Sequence, residues 1–138
     1  MALGIFTAQS GAALADVQNI VLVHGANVDG STWRDVYDRL TVEDYYVTVV
    51  QMPLTSTEDD IAAVQRIVDA QSGPILLVGH SYGGVVISEV GMDPDVKGLV
   101  YIAAFLPDVG ESGGALLASI PTAFTSDKLK VFDDSHYL

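Results

Sequence analysis

A serine set between glycines carries the most chemistry in this chain. "GHSYG", residues 79 to 83, fits the pattern G-x-S-x-G. The apolar run "ILLV" precedes it and "VVI" follows. A strand that turns sharply into a helix puts the residue at its tip into a strained backbone conformation. Side chains at the flanking positions would collide with the neighbouring strand and helix. Gly79 and Gly83 leave that space, and Gly84 lets the helix begin close to the sheet. Ser81 then projects its hydroxyl above the C-terminal edge of the sheet, where open parallel sheets bind their ligands. The chemistry implied is nucleophilic attack by an activated hydroxyl. The competing reading is a glycine-rich turn with an incidental serine; the strand before it and the helix after it weigh against that. A phosphate cradle is disfavoured, because "GHSYGG" lacks the lysine of the P-loop and does not fit G-x-G-x-x-G.

Acyl transfer needs hydrogen-bond donors aimed at a developing oxyanion. One is ordinarily the backbone N–H of the residue after the nucleophile, here Tyr82. The other comes from the loop after an early strand. "VLVHGA", residues 21 to 26, ends such a strand and offers Ala26, with Gly25 letting the loop approach the serine. His24 and His80 are both tempting as a general base. His80 immediately precedes the serine and should point away from the partner of its hydroxyl. His24 is better suited to ordering the oxyanion loop. Both are read as structural.

These residues need a scaffold, and the hydrophobic pattern supplies one. "NIVLVHG" (19 to 25), "YYVTVVQMP" (45 to 53), "PILLVGHS" (from 74) and "VKGLVYIAAF" (96 to 105) read as strands. "GSTWRDVYDRL" reads as a helix capped by Ser31 or Thr32, with Trp33, Val36, Tyr37 and Leu40 on its apolar face. "STEDDIAAVQRIVDAQSG" reads as a second, capped by Ser56 or Thr57. Its first turn holds the acids Glu58, Asp59 and Asp60, and Ile61, Val64, Ile67 and Val68 form its stripe. Residues 84 to about 92 form a third. Strands and helices alternate, and the strands are continuously apolar. That predicts an α/β fold, a parallel sheet of about four strands with helices on both faces. After Leu106 the pattern dissolves into Gly, Ser, Pro and Asp, with one short helix expected in "GALLASI" and one short strand around "KLKVF".

The 138 residues suit one domain, and 49% hydrophobic content can bury a core. Eighteen acidic against six basic residues give a net charge of −12, which disfavours nucleic acid and anionic membrane as partners. Cysteine is absent, so thiolate chemistry and disulfides are excluded. No metal or cofactor is expected. "MALGIFTAQSGAALAD" resembles the end of a secretory signal with cleavage after Ala15, but no Lys or Arg precedes its apolar run. Residues 1 to 18 are therefore either a signal remnant or a loosely packed leader, and location, cytoplasmic or exported, stays open.

Taken in order, "VLVHGANVDGSTWRDV", "VTVVQMPLTS", "GPILLVGHSYGG" and "GLVYIAAFLPDVGES" resemble the α/β-hydrolase fold superfamily. More narrowly they are similar to small bacterial esterases related to plant methylesterases and hydroxynitrile lyases. The resemblance implies Ser81 as nucleophile and Ala26 and Tyr82 as oxyanion donors. It implies cleavage of small esters through an acyl-serine intermediate, without metal or cofactor. Lyases of that group usually carry threonine where this chain has Gly25, and often an acid where it has His80; both positions favour an esterase.

The superfamily's chain order is Ser, then Asp or Glu, then His. By that order the catalytic acid and base belong in C-terminal sequence beyond residue 138. Residues 19 to 106 then correspond to the N-terminal part of the core, and 107 to 138 to the start of a lid. His136 is the only histidine after the serine and the alternative base, although no strand is expected to lead into it. Asp108, Asp133 and Asp134 meet the same objection as acids. Two other readings remain: a non-catalytic domain binding a small ligand or partner, and a hydroxynitrile lyase-like enzyme. The fourth strand would be an open edge through which copies could associate.

Overall fold

A computed structural model of the chain describes residues 17–108, 111, 115–116, 131–133 and 136–137. The candidate signal remnant, through Ala15, lies outside them. The chain divides into two compact units, Met1–Leu106 and Pro107–Leu138.

The first unit is an α/β layer structure. Its strands are β1 (Asn19–Val23), β2 (Tyr46–Val50), β3 (Ile75–His80) and β4 (Val96–Ile102), all parallel, in the order β2-β1-β3-β4. Its helices are α1 (Arg34–Val42), α2 (Thr57–Asp69) and α3 (Gly83–Val90). The expected α/β class, four parallel strands and helices on both faces, is what the chain forms. The strands end earlier than the apolar runs suggest. β2 stops at Val50 and β4 at Ile102, where Ala103 takes a positive φ of 43° that breaks the extended backbone.

Strand alternation divides the core in two. Val21, Val23, Ile75 and Leu77 face α2 and α3, where Val64, Val68, Val86, Ile87 and Val90 close over them. Ile20, Leu22 and Val78 face the other side with Trp33, and Leu40 of α1 packs there. Each such side chain, fully buried, contributes about 1.5–3 kcal/mol. Val36 and Tyr37, expected on the apolar face of α1, lie at its margin and remain exposed. The folded unit begins before β1: Val17 is buried, and the Gln18 carbonyl accepts from the Tyr46 N–H at 2.9 Å.

The helix starts follow capping chemistry, with one difference from the sequence reading. Ser56 caps α2, its hydroxyl accepting from the Asp59 N–H at 3.0 Å, which contributes about 1 kcal/mol. Before α1, neither Ser31 nor Thr32 is the cap. A 3-10 turn, Gly30–Trp33, intervenes, and Asp29 caps that turn by accepting from the Ser31 N–H at 2.8 Å. Aspartate one residue before the glycine reaches forward as an acceptor, and Ser31 becomes its donor.

In the second unit, residues 115 and 116 are helical, within the expected "GALLASI" segment. β5 (Val131–Asp133) pairs antiparallel with β6 (His136–Tyr137), placing Asp133 opposite His136 in register. The strand expected around "KLKVF" overlaps β5 at Val131 and Phe132, and its earlier residues lie outside the described ones. The expectation that no strand leads into His136 is overturned: His136 opens a strand, and β5 lies just before it.

Candidate active site

The chain order makes a crevice before any side chain is considered. From β1 the chain moves outward to β2, then crosses back to β3 on the other side of β1. The C-terminal ends of β1 and β3 therefore flank the point where strand order reverses, the usual ligand position in an open α/β sheet. The "HGA" segment leaves the first of these ends, and Ser81 follows the second.

Ser81 has a φ of 53°, in the left-handed region that non-glycine residues avoid. Such a residue costs on the order of 1–3 kcal/mol and persists only where its surroundings hold it. Here they do. The Ser81 carbonyl accepts from the Gly84 N–H and the Phe105 N–H, each at 3.0 Å, and the Ser81 N–H donates to the Ile102 carbonyl at 3.4 Å. The elbow is thereby tied to α3 and to the backbone after β4.

The glycines are required by contact. A Cβ on Gly79 would meet the backbone of Gly83 at 2.8 Å. One on Gly83 would meet the Val23 and His24 carbonyls at 2.7 Å, and one on Gly84 the Phe105 carbonyl at 2.1 Å. On Gly25 it would lie 3.0 Å from Ser81 Cβ, 3.3 Å from His80 Nδ1 and 3.5 Å from Ser81 Oγ. The loop after β1 thus passes directly against the serine. The backbone N–H groups of Ala26 and Tyr82 donate to no other described residue.

His24 is fully buried. Its Nε2 accepts from the Met52 N–H at 3.0 Å, so the ring proton sits on Nδ1, which donates to the Gly25 carbonyl at 2.8 Å. Both nitrogens are committed to backbone. The histidine holds the peptide unit that joins Gly25 to Ala26, and with it the direction of the Ala26 N–H. Gln51 supports the same loop, its Oε1 accepting from the Gly30 N–H at 3.1 Å.

His80 shares the sheet face of Val78 and Ile102, the side covered by α1. It meets the Trp33 ring edge-on, centroids 6.4 Å apart, and lines a cavity of about 260 Å³ with Thr32, Trp33, Val36 and Ile102.

The sequence reading missed Asp60, taken there as one of three helix-start acids. It is 1% exposed. Its Oδ1 accepts from the Leu54 N–H at 2.8 Å and its Oδ2 from the Tyr82 hydroxyl at 2.9 Å. Thr57 Oγ1 lies 3.3 Å from the same phenol oxygen. The signal was available: Asp60 precedes Val64 and Val68 by four and eight residues and so lies on the buried stripe.

Burial, first of all, pushes the Tyr82 phenol up from 10.0 to about 12. The hydrogen bond from Thr57 opposes this, while the bond to Asp60 and the charges of Asp60 and Glu58 add to it. A phenol harder to ionise when folded contributes stability that is complete below pH 10 and lost as pH rises through about 12. Denaturant titrations from pH 9 upward should therefore show wild type losing more stability than Tyr82→Phe. Parallel losses would contradict the assignment.

Of the site residues read from sequence, Ser81, Gly25, His80, Gly79, Gly83, Gly84 and Tyr82 come together at the ends of β1 and β3, with His24 behind them. His136 belongs to the second unit. Among the described residues, no hydrogen bond reaches Ser81 Oγ.

The α/β hydrolase family model matches residues 20–136. The chain is 34% identical over 119 residues to the carbendazim hydrolyzing esterase of Nocardioides sp., covering 76% of this chain and 48% of that protein. It is 26% identical over 126 residues to methylesterase 8 of Arabidopsis thaliana, covering 80% and 46%. A crystal structure of the pyrethroid hydrolase PytH superposes with a TM-score of 0.73 at 25% identity, over 87% of this chain and 55% of that one. The chain spans about half the length of the curated relatives it matches. With a four-stranded parallel sheet, a left-handed serine at the end of β3 and a family match along most of its length, this chain belongs to the α/β hydrolase family.

Proposed function

We propose that this chain carries the nucleophile and the oxyanion donors of a serine carboxylesterase acting on small esters. The observation that carries the reading is Ser81, held at a φ of 53° with Gly25 pressed against it. Ser81 Oγ attacks the ester carbonyl carbon and gives its proton to a general base. The negative oxygen of the tetrahedral intermediate takes hydrogen bonds from the Ala26 and Tyr82 N–H groups. Collapse expels the alcohol, which takes the proton, and leaves an acyl-serine that water hydrolyses.

Neither His24 nor His80 suits the base. Both nitrogens of His24 are bonded to backbone, and His80 turns to the α1 side. Base and acid are expected after Ser81 in chain order, the acid first and then the histidine. The relatives support this reading through their names, esterase and methylesterase, and Gly25 and His80 weigh against cyanohydrin chemistry.

A fluorophosphonate probe tests the proposal. The expected result is one phosphonyl group per chain, absent from Ser81→Ala. A folded chain that takes no label at Ser81 would contradict it and leave a non-catalytic binding domain as the better reading.

A further inference from the structure

Two oxyanion donors must sit at a set spacing, yet Ala26 and Tyr82 belong to different segments. Ala26 follows β1, and Tyr82 follows β3. The short loop after β2 touches the support of both. At one end the Met52 N–H donates to His24 Nε2, and His24 Nδ1 holds the Gly25 carbonyl, part of the peptide unit that carries the Ala26 N–H. Two residues on, the Leu54 N–H donates to Asp60 Oδ1, and Asp60 Oδ2 holds the Tyr82 hydroxyl. The span between these contacts is Met52-Pro53-Leu54. Proline fixes one backbone angle there, and Leu54 holds a positive φ of 57°. His24, Met52 and Asp60 are all at or below 2% exposure, while Leu54 between them is 39% exposed.

We infer that Asp60 is a positioning residue for the oxyanion hole, and that the Met52–Leu54 loop is the brace coupling its two donors. The inference rests on the serine hydrolase reading of Ser81. A buried carboxylate accepting from both the loop and Tyr82 has no other task apparent in its contacts. A helix-start acid serving only the dipole would face solvent, as Asp59 does. An apolar residue on the Val64–Val68 stripe would pack at least as well, but it would release both Leu54 and Tyr82.

The test uses the full chain and three variants: Asp60→Asn, Tyr82→Phe and the double. Asparagine keeps the shape and accepts through one oxygen only. Fluorophosphonate labelling of Ser81 should slow about tenfold in each single variant, less than the hundredfold or more expected from losing a donor outright. The double variant should be slowed by much less than the product of the two single effects, because the Asp60–Tyr82 bond is lost in both. Circular dichroism should match wild type in all three. A folded Asp60→Asn that labels at the wild-type rate, or effects that multiply in the double, would overturn the inference.

A second readout needs no chemistry at Ser81. In Asp60→Asn the amide resonances of both Tyr82 and Ala26 should shift, the latter through Leu54, Met52 and His24, while those of Ser88 to Val90 stay in place. A shift at Tyr82 with Ala26 unmoved would refute the brace. If wild type takes no label, the esterase reading fails and the amide measurement alone decides this one.

Discussion

Replacing Gly84 with alanine is expected to destabilise the chain by about 3 kcal/mol, a fall in melting temperature of about 10 °C. Helix propensity alone points the other way. Gly84 lies in α3, where alanine would gain about 1 kcal/mol. The contact decides the sign. The new Cβ would sit 2.1 Å from the Phe105 carbonyl oxygen and 2.9 Å from Ala104 Cβ. The first is a backbone atom with no rotamer to change, so the segment after β4 must move. That segment is held by the Phe105 N–H bond to the Ser81 carbonyl, which is one of the three bonds keeping Ser81 left-handed. The same substitution should therefore also relax the elbow. Thermal denaturation measures it, and an alanine variant as stable as wild type would contradict the packing described.

The second large effect is functional and leaves the fold standing. Gly25→Ala is expected to slow fluorophosphonate labelling of Ser81 about a hundredfold, the scale of losing one oxyanion donor. Its Cβ would lie 3.0 Å from Ser81 Cβ, so loop and serine must part by a few tenths of an ångström. Either Ser81 turns or the peptide carrying the Ala26 N–H retreats, and displacements of that size matter at a reacting centre. The substitution touches no helix or strand interior, and its loop is anchored by His24 to Met52 and by Gln51 to Gly30. Melting should change by a few degrees at most. Labelling kinetics alongside thermal denaturation separate the two effects, and an unchanged labelling rate would place the oxyanion hole elsewhere.

Much of this was legible in the residues, for a physical reason. Glycine is the one residue that fits where backbones approach within a Cβ's reach, so Gly79, Gly83 and Gly84 around a serine announce a crowded turn. Continuous apolar runs gave the parallel strands, because both faces of the sheet are covered. Details governed by competing local bonds were less legible. Asp29, Ser31 and Thr32 can each cap a helix, and which one does depends on the 3-10 turn between them and α1.

Asp60 escaped notice because composition hides it. Three acids open α2, and the macrodipole accounts for all of them equally well. What distinguishes Asp60 is its phase on the helix, and that acquires meaning only once Tyr82 and Leu54 are known to sit opposite. His24 shows the same limit. Its place at the end of β1 was readable, but the partner that fixes its ring proton, the Met52 N–H, comes from a different strand end 28 residues away.

The most direct test of the account is acylation itself. The full chain is mixed with p-nitrophenyl acetate, quenched in acid within seconds and digested, and its peptides are read by mass spectrometry. One acetyl group is expected on the peptide that holds "GHSYGG", fragmenting to Ser81, and none in Ser81→Ala. Acetyl found only on other side chains, or equally on the Ser81→Ala chain, would contradict it.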